Sequence, residues 1–119
     1  MHIDSVKSLF SIMSGEENYE LFLPIIVLAM SETEKMLRPD ADRDDVRLDF
    51  LSASIANFRY VQMKSAKDRT LATIGGSTLK SQSDGGTLGY AEKMMCNYLH
   101  LCGELVSSDN FAFISFGKV

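Results

Sequence analysis

The sequence predicts a mainly α-helical fold: one domain over residues 1–119, a bundle of about four helices with a small β-hairpin or extended arm and a strand-like C-terminal tail. Three observations carry this expectation. Apolar residues recur at spacings of three and four through most of the chain, capping and stop residues fall between those runs, and only two prolines interrupt 119 residues. Apolar residues make up 45% and charged residues 24%, the balance of an ordinary globular protein. A chain of this length buries roughly two-thirds of its unfolded surface, so it folds without a metal or disulfide staple.

The first helix is expected from about Ser5 to Met13, with Asp4 as N-cap and Gly15 just past its end. Val6, Leu9, Phe10 and Met13 then share one face. A second helix is expected over roughly Glu17 to Leu37. Glu16, Glu17 and Glu20 complement its positive end, and Lys35 and Arg38 its negative end. Pro24 leaves two versions open: a kink within this helix, or the first turn of a helix that begins near Leu23. Pro39 stops it in both.

The link Pro39-Asp40-Ala41-Asp42 reads as a tight connection that caps a third helix, from about Arg43 to Lys67. Val46, Phe50, Ala53, Asn57 and Tyr60 line one side of it. Leu48, Leu51, Ile55, Phe58 and Gln62 line another. Two stripes make a wide buried face, so this helix is expected at the centre. The short link places it antiparallel to the second helix.

An insertion is expected over residues 70–86. Thr70 to Ile74 is β-prone, Gly75-Gly76 turns, and Ser77 to Lys80 continues, which is a hairpin signal. A mobile loop is the alternative, because Ser81 to Gly86 is small and polar. The fourth helix follows from about Thr87 to Val106, with Ala91, Met94, Met95, Tyr98, Cys102 and Leu105 in one stripe. The tail Phe111-Ala112-Phe113-Ile114-Ser115-Phe116 is too apolar to stand in water and reads as a strand or extended arm that docks.

Twelve basic residues against sixteen acids give a net charge of −4. That argues against a general nucleic-acid binder, whose footprint is a basic excess. The first residues lack the basic and apolar regions of a signal peptide, and the longest apolar run, Leu21 to Met30, is half the length of a membrane span. Cys96 and Cys102 fall on different sides of the fourth helix, so they do not pair with each other. Unpaired thiols fit a reducing cytoplasm better than secretion, so an intracellular location is expected.

Chemistry has few footholds. Glu92, Cys96 and His100 lie at i, i+4 and i+8 on the fourth helix, three legitimate zinc ligand types on one face. No second CxxC or HxxxH completes a tetrahedron, so a solvated or interface-facing side is the expectation, and it is preferred likewise over a Cys96 nucleophile activated by His100. Gly75-Gly76 and Gly85-Gly86 match no phosphate-loop pattern, and Asp40, Asp42, Asp44 and Asp45 lack the order of a calcium loop. Neither a cofactor nor a metal is expected, and no catalytic residue is assigned.

The charge map says more. Residues 1–58 carry a balance of −6, residues 59–80 of +4, and residues 81–119 of −2. An acidic part and a basic segment suit head-to-tail contact between identical subunits. The interface candidates are Arg59, Lys64, Lys67, Arg69, Ile74 and Leu79 of the basic segment, with Phe111, Phe113 and Phe116 of the tail.

In size, early helical hairpin, long central helix at Arg43 to Lys67, irregular insertion and later helix, the outline resembles the small head-to-tail connector proteins of tailed bacteriophages. The resemblance implies a ring-forming homo-oligomer that contacts other phage head or tail proteins. It implies no catalytic residue, and the short apolar run and acidic balance add the expectation of no membrane and no sequence-specific nucleic-acid ligand. The expected function is therefore a non-enzymatic assembly protein of phage or prophage origin. The alternatives are a small cytoplasmic enzyme or metal-binding protein using Glu92, Cys96 and His100, and a regulatory module that binds a partner in a groove of Met and Phe.

Overall fold

The computed structural model describes residues 1–74 and 81–107, with side chains over 1–67 and 86–107. The first helix, α1 (Ile3–Ser14), starts two residues early, so His2 takes the N-cap position and Asp4 lies within the first turn. There its charge still opposes the positive end of the helix dipole. Gly15 ends α1 at φ 80°, its N–H donating to the Ser11 carbonyl at 2.9 Å. That left-handed conformation is one that glycine adopts without a Cβ clash.

Of the two versions left open at Pro24, the structure has the second. A single 3₁₀ turn (Tyr19–Phe22) leads into α2 (Leu23–Met36), with Pro24 in its first turn, where a missing N–H costs nothing. Glu16, Glu17 and Glu20 thus precede α2 instead of filling its first turn, which corrects the expected span of Glu17 to Leu37. Leu37 is already extended.

The long central helix α3 (Val46–Ile74) starts three residues later than expected and runs seven further. Its N-cap is Asp45, whose carboxylate accepts the Arg47 backbone N–H at 2.9 Å. The extension overturns part of the expected insertion. Residues 70–74 are the last turn of α3, and 81–86 open α4 (Ser81–Leu101), so neither the first hairpin strand nor the polar loop forms there. The β-branched residues misled because strand propensity is a statement about context. Adding residues to a helix already nucleated fixes one residue per hydrogen bond gained. The Gly75-Gly76 turn, the 77–80 strand and the 111–116 tail lie outside the described residues.

Side-chain pairs give the packing order. Thr33 meets Ser52 at 2.9 Å and Glu32 meets Arg59 at 2.6 Å, so α2 runs antiparallel to α3 as expected. His2 at the start of α1 meets Asp49 and Phe10 meets Tyr60, so α1 runs parallel to α3. Tyr98 stacks near Phe50 while Arg47 reaches the Leu101 carbonyl, so α4 is antiparallel. Helix α3 is therefore wrapped by the other three. From Leu48 to Phe58 only Phe50 is even half-buried; the rest are buried. Ser52, Ala53, Ser54 and Ala56 keep this helix slim where three others approach it. The buried hydroxyls are satisfied in a relay: Ser52 donates to Thr33, which donates to the Ala29 carbonyl at 2.9 Å.

Among the described residues the one β contact is an antiparallel bridge between Leu37 and Val106, just beyond α2 and α4. No helix among the described residues is long and apolar enough to cross a membrane.

Gly86 and Gly89 sit on the exposed side of α4, and a Cβ at either would meet nothing within 4 Å. Helical glycine costs conformational entropy that alanine does not. The double variant Gly86→Ala/Gly89→Ala is expected to gain about 1–2 kcal/mol, seen as a higher urea midpoint at unchanged slope.

Candidate functional site

The sequence candidates for chemistry do not converge. Glu92, Cys96 and His100 follow one another along α4, with Cys96 and His100 exposed. Their spacing on one helix spreads them over about 12 Å of axis, whereas ligands of one zinc ion sit roughly 2 Å from it. Among the described residues no group of three His, Cys, Asp or Glu side chains could hold a metal. Cys102 is buried, and burial pushes its thiol up to about 11, the opposite of what a nucleophile needs.

The two ends of α3 are more distinctive. At its N-terminal end, Asp42 accepts the Asp44 N–H at 3.0 Å and Asp45 caps the helix, the capping role expected from the acid cluster. Two further bonds run from the Arg47 guanidinium to Asp45, at 2.8 and 3.1 Å. Those side-chain bonds, with the backbone bond from the same arginine, hold the Asp45 carboxyl down to about 2. Arg47 also donates to the Leu101 carbonyl at 3.1 Å, tying the start of α3 to the end of α4. The buried Asp49 carboxylate accepts the His2 N–H at 3.0 Å and lies 3.4 Å from the His2 ring. The Met1 ammonium donates to the Arg43 carbonyl. Around this knot Asp40, Asp42 and Asp44 are exposed, and so are two apolar side chains, Val46 and Leu101.

Because the Asp45 pKa is depressed in the folded state, the stability it contributes is complete above the ordinary carboxylate value of 3.8. It is lost as pH falls from there toward about 2. Asp45→Asn is therefore expected to flatten the acid limb of the stability–pH curve over that window, measured by urea denaturation at stepped pH.

Toward the other end of α3, the basic candidates separate. Arg59 is a brace between α2 and α3: its guanidinium bonds Glu32 at 2.6 Å, both side chains largely buried, and lies 6.0 Å over the Phe58 ring. Lys64 and Lys67 are exposed, Lys64 standing 5.9 Å over the Tyr60 ring. Arg69 and Ile74 continue α3, but their side chains, and all of Leu79, Phe111, Phe113 and Phe116, lie outside the described residues. The fold also brings the α1–α2 link to this end. The Tyr60 hydroxyl donates to Glu16, and Phe10, Phe22 and Tyr60 form an aromatic cluster with centroids 5.0 to 5.9 Å apart. Glu16, Glu17 and Glu20 therefore share an end with the lysines. This end is of mixed charge, where the sequence map treats the two groups as separate halves.

Tyr60 and Lys64 divide two depressions. One, about 430 Å³, lies between α1, α3 and α4, with Met13, Asn57, Lys64, Tyr90 and Met94 among its walls. Asn57 is only 4% exposed there, and its carboxamide oxygen is buried with no hydrogen-bond partner, an unusual state in a folded protein. Tyr90 stands at its edge 75% exposed. The other depression, about 520 Å³, is an apolar groove of Leu21, Phe22, Pro24, Ile25 and Met63, with Glu16, Lys64 and Lys67 along it. Sequence periodicity assigned Asn57 to the core stripe. The one signal of something else was a carboxamide in an otherwise apolar row. Comparison with family models, with curated proteins and with solved structures yields no match.

Proposed function

We propose that this chain is a non-enzymatic assembly protein whose copies associate head to tail through the two ends of α3. The observation that carries the reading is the open cleft beside Lys64, with an exposed Tyr90 at its edge and an unpaired buried Asn57 oxygen in its wall. Tyrosine anchors beside pockets are where interface energy concentrates.

The matching partner is the opposite end of another copy. It offers two exposed apolar side chains, Val46 and Leu101, at an end that also exposes Asp40, Asp42 and Asp44 together with Arg38 and Arg43, apolar side chains among charged ones. Val46 and Lys64 are 18 residues apart on one straight helix, about 27 Å, so the two patches cannot meet within a chain. A contact between unlike patches is heterologous and closes into a ring when the rotation allows it. A closed ring of such contacts is what the resemblance to phage head-to-tail connectors implies. The proposed subunit works in the host cytoplasm or the virion, against other head or tail proteins.

Tyr90→Ala tests the reading. Tyr90 contributes little to the core, so the variant is expected to keep its thermal midpoint within a few degrees. Self-association, followed by sedimentation velocity, should weaken tenfold or more. Unchanged association would count against the cleft as the receiving surface.

A further inference from the structure

We infer that the apolar groove between the start of α2 and α3 is a binding site for a single-chain carboxylate, a medium-chain fatty acid in monomeric form. The α2 side supplies an apolar wall. No residue from Leu21 to Ser31 carries a charge, and Leu21, Phe22, Pro24 and Ile25 all border the groove. Leu21 is 72% exposed, and Met63 on the α3 wall 61%. Apolar surface therefore stands in water here, and an acyl chain that covers it gains in proportion to the area.

The α3 side supplies the charge. Lys64 and Lys67 are about one turn apart, on one face of the helix, and both are exposed and border the groove. Among the described residues neither forms an ion pair. Glu16 is the one acid among the described walls, and its carboxylate already accepts the Tyr60 hydroxyl. Two cations against one acid, beside an apolar wall, complement an anionic head on an apolar tail, and ammonium groups make strong hydrogen bonds to carboxylate oxygens. The groove's volume, about 520 Å³, falls in the range of small-molecule sites. Met63 to Lys67 spans only about 6 Å of helix axis, which suits an acyl chain and is short for a docked helix. The inference is independent of the assembly reading. Lys64 borders both depressions, whereas Lys67 and Met63 border the groove and not the cleft.

Calorimetric titration of the full chain with decanoate, kept below its micelle concentration, tests the site. The expected result is saturable binding of one molecule per chain, tightening about two- to fourfold per methylene from hexanoate through octanoate to decanoate. Decyltrimethylammonium, the same tail under a cationic head, should bind roughly tenfold more weakly or worse. Lys67→Ala should weaken decanoate several-fold, and Glu16→Gln should strengthen it, a gain that misfolding cannot imitate. Leu21→Asp, at an exposed position, should cost tenfold or more, while Tyr90→Ala leaves binding unchanged. Absence of saturable binding would overturn the inference. So would equal affinity for the two heads, uptake only above the micelle concentration, or binding that survives both Lys67→Ala and Leu21→Asp at full strength.

Discussion

Replacing Phe10 by alanine is expected to cost about 3–5 kcal/mol of folding free energy. The ring is fully buried, 5.9 Å from Phe22 and 5.8 Å edge-on to Tyr60. It thus joins α1, the 3₁₀ turn and α3 at one point. Truncation removes the transfer energy of the ring, leaves a cavity among side chains held on three separate elements, and forfeits one tilted and one edge-on aromatic contact. Domains of this size are stable by only about 5–15 kcal/mol, so the loss is a large share. Urea denaturation followed by circular dichroism measures it. Ile12→Ala, two residues along the same helix but exposed, is the control and should change stability by no more than about 0.5 kcal/mol. Comparable losses at both positions would mean that α1 does not pack on α3 through the face described.

Reversing charge at the proposed contact should have the largest effect on association. Lys64→Glu places an acid in the cleft that is argued to receive the Asp40, Asp42 and Asp44 end of another copy, and like charges across an interface both slow encounter and weaken the complex. A loss of tenfold or more is expected, deepening as salt is lowered. The pair Asp40→Lys/Asp44→Lys should be impaired by itself. A mixture of that variant with Lys64→Glu should associate again, because each acidified cleft then faces a basic end. Restored association in the mixture is a result that misfolding cannot imitate. Failure of the mixture with both variants folded would leave the two patches unconnected.

How much of this could be read from residues depends on whether the deciding interactions are local. Gly15 ending α1 and the acid cluster capping α3 are local events, and the sequence placed both. Pro24 narrowed to two versions for the same reason, since proline constrains only its own turn. The central position of α3 followed from two apolar stripes instead of one. The strand expected over 70–74 was misread because Thr70, Thr73 and Ile74 prefer strands only where a sheet exists to receive them, and a helix was already running into them. The ends of the chain were harder. The bridge between Leu37 and Val106 joins residues distant in sequence, and nothing in either segment announces it.

The same distinction governs the site. Arg59, Lys64 and Lys67 look alike in a charge count, yet Glu32 holds Arg59 inside while the two lysines face out. Glu16 counts toward an acidic half in sequence but lines the same groove as Lys64. Asn57 fits an apolar stripe by spacing, and only the packing of three helices leaves its oxygen without a partner. Summed charge describes composition, whereas a binding surface is made by which charges remain unpaired after folding.

Copies of this chain are proposed to bind one another end to end. The most direct test is absolute mass by light scattering after size exclusion, over a range of concentrations at low and high salt. End-to-end binding gives a discrete multiple of 13.2 kDa that grows with concentration toward one closed species and recedes as salt rises. A strict 13.2 kDa monomer under every condition would contradict it.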